Sequence, residues 1–205
     1  ADGTFIEGRP SGRVFRVAGG APLWVSSWSN MGGAQPTIGV DDAAVNMAGQ
    51  GGVWSHLSAV PSDMFVRGLP SLRVYRVVNG VHPYHVTSWA PYGGSQPALD
   101  VDDWAIDNCD HLDCNPFGYV DSVSNSPGGT RIRGWTMDPN VPDPLWLHIY
   151  VDGRHVQVAR ADASRPDVDN VYHRGSRFGF DVQVPLSGGS HEVCTFALNV
   201  GKGTS

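Results

Sequence analysis

Serine, histidine and aspartate are plentiful in this 205-residue chain, yet their spacing assembles no reactive centre. A Gly-x-Ser-x-Gly elbow, which would hold a serine up on a strained strand-to-helix turn, is missing. Glu7 and Glu192, the only glutamates, fall in runs that read as strands rather than in a paired-carboxylate setting. His191-Glu192 runs on into Val-Cys-Thr, so neither the zinc-protease helix nor a phosphate-binding loop occurs. Cys109 and Cys114, in "NCDHLDCNP", read as a disulfide. Zinc is the competitor there, but the second ligand pair that zinc spacing requires is lacking. Cys194, in "HEVCTFAL", reads as a buried free thiol. The acidic stretch from Asp100 to Asp113 could hold Ca²⁺, although it does not follow the order of an EF-hand loop. No other cofactor is expected.

Aromatic side chains are the better lead, because the apolar C–H faces of sugars stack on Trp and Tyr rings while neighbouring polar groups bond the hydroxyls. Trp24, Tyr84 and Tyr92 are expected at the surface. Trp28 and Trp89, which end apolar runs, are assigned to the core. Gln35 and Gln96 follow Gly-Gly and precede Pro, where the amide either projects from a loop or bonds its own backbone. Arg165, Asp167 and His173 share a segment with Asp169 and Tyr172 that reads as a loop, either tied internally or binding. Arg13/Arg16 and Arg73/Arg76 fit solvated ion pairs or contacts with an anionic wall polymer.

The elements that must position these residues are strands. Lys202 is the only lysine, and 26 Gly and 15 Pro punctuate short alternating runs. A chain poor in Lys and Glu and rich in Asp and Gly favours turns over solvated helices. One sentence is written twice: "VSSWSNMGGAQPTIGVDD" (25–42) and "VTSWAPYGGSQPALDVDD" (86–103). Upstream, Phe5, Pro10, Arg13 and Phe15 match Phe65, Pro70, Arg73 and Tyr75 sixty positions on; downstream, "WSHLSAVP" matches "CDHLDCNP". Each unit reads as three strands followed by a short helix capped by the Val-Asp-Asp aspartate. About 60 residues bury little core alone, so the units should share an interface. Trp54 in the first unit stands where Cys109 stands in the second, which suggests a large side chain exchanged for a covalent clip.

From Phe117 the pattern changes to short alternating runs between Pro/Gly turns, with "VDGRHV" as an Asp-Gly hairpin. The expected fold is mainly β: repeat units at 1–61 and 62–116, each with one short helix, followed by an antiparallel β-sandwich at 117–205.

The repeat motif, "GTF … RVFRVAGGAPLWVSSW … HL … P", resembles tandem repeats of secreted or cell-wall-associated actinobacterial proteins, including peptidoglycan- and polysaccharide-acting enzymes. "GWTMDP … VDG … RPDV … GFDV … HEVC" resembles a domain found at the ends of many such proteins. The resemblance implies an accessory, wall- or glycan-directed module and brings no catalytic residue.

The net charge of −6 is spread without a basic stripe, which disfavours nucleic acid. No run approaches the roughly 18 apolar residues of a membrane span. The start, ADGTFIEGRP, lacks a signal-peptide pattern, and the chain reads as an excised or processed fragment, a monomer or part of a larger chain. The expectation is a non-catalytic extracellular accessory module that binds cell-wall polysaccharide or peptidoglycan and targets an attached enzyme. A structural spacer or adhesin-like interaction module is the alternative, and a cell-wall hydrolase the second alternative.

Overall fold

The computed structural model describes every residue except 55, 60, 62, 79–81 and 187, and leaves the Trp54 side chain aside. The Asn79-Gly80 turn and the proposed Trp54-for-disulfide exchange therefore lie outside the described residues. The chain forms two compact units, Ala1–Cys114 and Asn115–Ser205, and its architecture is mainly β.

The first unit holds both repeats. In the first repeat, β1 (Phe5–Arg9), β2 (Val14–Ala18), β3 (Ala21–Trp24) and β4 (Thr37–Asp41) form a sheet in the order β3-β2-β1-β4, followed by α1 (Asp42–Asn46). In the second, β5 (Met64–Leu69), β6 (Val74–Val78), β7 (His82–His85) and β8 (Leu99–Asp102) repeat that order as β7-β6-β5-β8, followed by α2 (Asp103–Asp107). The registers match as well: Ile6 pairs with Phe15 and Ile38, and Val66 with Tyr75 and Leu99. Each sheet thus has a fourth, parallel edge strand beyond the three the sequence suggests. Its partner lies about thirty residues upstream, beyond the reach of local pattern reading.

The duplicated Val-Asp-Asp has a mechanical meaning in this frame. The first aspartate caps the helix, Asp41 accepting from the Ala43 N–H at 2.8 Å and Asp102 from the Trp104 N–H at 2.9 Å. The second reaches the Pro-Ser turn between the first two strands. Asp42 accepts from Ser11 N–H and Oγ (2.9 and 2.6 Å), and Asp103 from Ser71 N–H and Oγ (both 2.7 Å). Glycine leaves room for that bond, since a Cβ at Gly8 or Gly68 would displace the Asp42 or Asp103 carboxylate.

The second unit is a sandwich of two sheets. One contains β9 (Phe117–Ser126), β10 (Gly129–Met137), β13 (Ala163–Ser164) and β14 (Arg177–Val184) in the order β13-β14-β10-β9. The other contains β11 (Trp146–Val151), β12 (Arg154–Arg160) and β15 (Val193–Ala197) in the order β12-β11-β15. Ile132, Phe180, Val182 and Val184 from the first sheet meet Leu147, Ile149 and Val151 from the second. Asp152 (φ 49°) and Gly153 (φ 75°) make the β11–β12 hairpin turn, a conformation that Asp-Gly tolerates. The segment from Arg165 to His173, read from sequence as a loop, contains α3 (Pro166–Tyr172), with Pro at its start and His173 as a left-handed C-cap (φ 54°).

Candidate functional site

The joint between the two repeats gathers most of the duplicated chemistry. Asp102, 1% exposed, accepts from Ser26 N–H and Oγ (2.7 Å each), Ser27 N–H (3.4 Å) and Asn30 Nδ2 (3.1 Å). Asp110 accepts from the Trp24 N–H at 2.6 Å; its burial pushes this carboxyl above the usual range, against the pull of that N–H. Arg16 donates to the Asp100 carbonyl at 2.6 Å and lies 4.9 Å from the Phe5 ring centre. Ala18 and Leu23 of the first repeat are buried with Val66, Tyr75, Val101 and Ile106 of the second. The Trp24 ring meets Trp104 edge-on at 4.3 Å. The half-exposed units of sequence are therefore completed by each other, as their size demands.

Most of the residues singled out from sequence in this unit are absorbed structurally. Trp24 is half-buried in the joint. Tyr84, expected at the surface, is 1% exposed: it occupies the position of Leu23 in a strand whose "HPYH" pattern disguises an inward phase. Tyr92 is half-buried and packs on Phe65 and Trp89 at 5.1 and 6.1 Å. Trp28 and Trp89 are half-buried, paired with Phe5 and Phe65 at nearly the same separation, 5.2 and 5.3 Å. Gln35 bonds the Gly33 carbonyl, and Gln96 bonds the Tyr92 and Gly94 carbonyls, holding their own turns. Arg13 bonds Asn46, Arg73 pairs with Asp107 at 3.8 Å, and Arg76 sits over Tyr92 at 5.7 Å.

The acidic stretch is consumed in the same way. Asp100 pairs with Arg67, Asp102 and Asp110 join the repeats, and Asp103 holds the Ser71 turn. Among the described residues no group of three or more potential metal ligands occurs. Cys109 and Cys114 form the disulfide, with Cα atoms 6.0 Å apart.

In the second unit, Arg165 donates to Asp167 through Nε and Nη2 (2.8 and 2.6 Å) and to Asp121 through Nη1 (2.6 Å). The guanidinium draws the Asp167 carboxyl down to about 2. This is an internal tie between α3 and β9. His173 is exposed at the helix end.

An aromatic face does exist, on the outer side of the β12-β11-β15 sheet. Along β11, Leu147, Ile149 and Val151 point into the core, which turns Trp146, His148 and Tyr150 outward. Register places Arg160 beside Trp146, Val158 and Phe196 on either side of His148, and His155 and Cys194 on either side of Tyr150. Trp146 is 51% and Phe196 49% exposed, with Val156 and Val158 also exposed. Tyr150 meets Phe196 edge-on at 5.4 Å and His155 at 5.4 Å, His148 meets His155 at 4.9 Å, and Arg160 lies 5.5 Å from the Trp146 ring centre. Trp146 and Tyr150, four residues apart on one strand, stand roughly 13 Å from each other. Cys194 is free and half-buried on this outer face; the core-facing residues of β15 are Val193 and Ala197, the opposite phase to that expected from sequence.

Apart from Cys194, read with the opposite phase, none of the face residues was singled out by spacing or motif. A usable signal was present: "LWLHIYV" is apolar or aromatic at nearly every position, whereas an antiparallel strand with one solvated face should alternate. The fold and this face define a two-unit, mainly-β protein with an exposed aromatic sheet surface and an internally joined repeat pair. No family model matches the chain, and no curated protein or solved structure matches it either.

Proposed function

We propose that the chain is a non-catalytic extracellular accessory module, secreted or cell-wall associated, that holds cell-wall polysaccharide or peptidoglycan on the outer face of the β12-β11-β15 sheet and so keeps an attached enzyme near its substrate. The supporting observation is that Trp146 and Phe196, each about half exposed, share one sheet face with Tyr150, which Phe196 meets edge-on. Contiguous exposed aromatics of this kind mark binding surfaces. Ring faces take the C–H surface of a sugar, and Arg160, His148 and His155 supply donors at the rim for its hydroxyl or acidic groups.

The repeat pair favours the spacer reading for the first unit. Its Trp24, Trp28 and Trp89 rings are half-buried, each packed tilted or edge-on against another ring of the same unit, and only Trp104 of these four indoles is exposed, so the unit supplies length while the sandwich supplies contact.

Co-sedimentation with insoluble peptidoglycan and arabinogalactan tests the reading. The intact chain should pellet with at least one of them, and Trp146→Ala and Phe196→Ala should each weaken binding about tenfold or more, since burying a large apolar side chain is worth roughly 1.5–3 kcal/mol. Trp fluorescence should shift on binding and lose that response in Trp146→Ala. Retention unchanged in the double variant, or no retention on either polymer, rejects the proposal. Release of soluble product from labelled polymer would instead support the hydrolase alternative.

A further inference from the structure

Equivalent positions in the two repeats differ sharply in exposure on one side only. Asp102 is 1% exposed and takes four donors from the first repeat, whereas Asp41 is exposed and, among the described residues, holds only its own helix cap. Val101 is fully buried and Val40 half-buried. Leu99 packs against the joint core, while its counterpart Ile38 is 60% exposed. The first repeat therefore carries the same receiving surface on β4 and α1 that the second repeat carries on β8 and α2, without an occupant.

We propose that this β4–α1 face receives a further repeat of the first-repeat type, presenting a Ser-Ser-Trp-Ser-Asn loop like that of residues 26–30. The argument is continuity with the joint already formed. The Asp41 carboxylate is positioned by its cap to accept the two backbone N–H groups, the hydroxyl and the amide that Asp102 accepts. The Arg16 contact needs only a backbone carbonyl at position 100, which Gly39 also offers. Ile38 and Val40 then take the place of Leu99 and Val101 beneath the incoming Ala and Leu of β2 and β3. Ala43 stands where Trp104 meets Trp24, so this joint lacks one edge-on ring contact.

The loop of the second repeat is a poor occupant. Pro91 replaces Asn30 and removes the amide donor, and Val78 and Tyr84, the counterparts of Ala18 and Leu23, are already buried. A head-to-tail second copy of this chain is accordingly not the partner. The inference is independent of glycan binding, because it uses none of the sandwich residues.

The test is an extended chain in which a duplicate of residues 1–61 precedes Ala1, compared with the two-repeat chain. Asp41→Asn leaves the cap intact, since Asn caps as well as Asp, but halves the acceptor capacity toward an incoming loop. The substitution should shift the two-repeat Tm by less than about 1 °C and lower the extended chain's Tm by about 4 °C or more. Independently, Ile38→Cys should be alkylated by maleimide at least about tenfold more slowly in the extended chain, read on the peptide carrying that cysteine. Equal Asp41→Asn shifts in both chains, an unchanged labelling rate, or an added repeat that stays unfolded ahead of a folded two-repeat chain each overturns the proposal.

Discussion

Asp102 and Asp110 both carry carboxylates into the joint between the repeats, and their surroundings dictate different responses to substitution. Asp102 meets the Ser26, Ser27 and Asn30 donors on one side and the Trp104 N–H on the other. Asp102→Ala removes the carboxylate from these part-buried donors and should cost about 1–3 kcal/mol in urea unfolding; a loss below about 1 kcal/mol would mean that water replaces the carboxylate. Asp110 accepts from the Trp24 N–H, and its pKa is raised chiefly by burial. A carboxyl whose folded pKa lies above its unfolded value contributes stability that is complete below the unfolded value and lost as pH rises through the folded one. Asp110→Asn keeps an acceptor for the Trp24 N–H without the charge, so it should raise Tm at neutral pH and flatten its decline from mildly acid pH. Asp167 has the contrary sign. Its carboxyl is lowered to about 2 by Arg165, so the tie is complete above the ordinary aspartate range and is lost only as pH falls through about 2. A carboxyl NMR titration should show this depressed midpoint, and Arg165→Gln should return it toward the ordinary value.

At the scale of elements, the Asp-to-turn bond fixes which strand residues are tolerated. Gly68→Ala puts a methyl group into the Asp103 carboxylate, which must swing away from the Ser71 turn at the loss of its two bonds there, and should cost about 1–3 kcal/mol; Gly8→Ala should do the same through Asp42. A melting temperature unaffected by both would show that the carboxylate yields freely. The repeats, the helix caps and the hairpins were legible because each is set by residues within a few positions: Asp41 and Asp102 directly precede the helices they cap, and Asp152-Gly153 make their own turn. Strands β4 and β8 were not legible, since only a distant partner converts "TIGVD" or "LDVD" into strand. The phase of β15 was also hidden. Val193, Cys194, Thr195, Phe196 and Ala197 offer apolar character on both faces, and a strand apolar on both sides carries no internal signal of which face is buried. The ambiguity that hid Phe196 is the same property that leaves apolar surface on the outer sheet face.

For the whole molecule, the division of labour follows from where each core closes. The sandwich core draws on Ile132, Leu147, Ile149, Val151, Phe180, Val182 and Val184, and the two sheets that supply these side chains lie within residues 117–197. Residues 115–205 produced alone should therefore unfold in a single cooperative transition and bind wall polysaccharide with an affinity within about threefold of the intact chain, because Trp146, Tyr150 and Phe196 all belong to that unit. Residues 1–114 should also fold alone, their repeats closed on each other through Ala18, Leu23 and Val101, yet bind no polysaccharide, since Trp24, Trp28 and Trp89 are half-buried against other rings of that unit. Breaking that joint by Asp102→Ala should lower the melting temperature of residues 1–114 and leave the polysaccharide affinity of the intact chain unchanged. Binding that instead travels with residues 1–114 would move the adhesive surface from the sandwich to the repeats, and the exposed β12-β11-β15 face would then need another occupant.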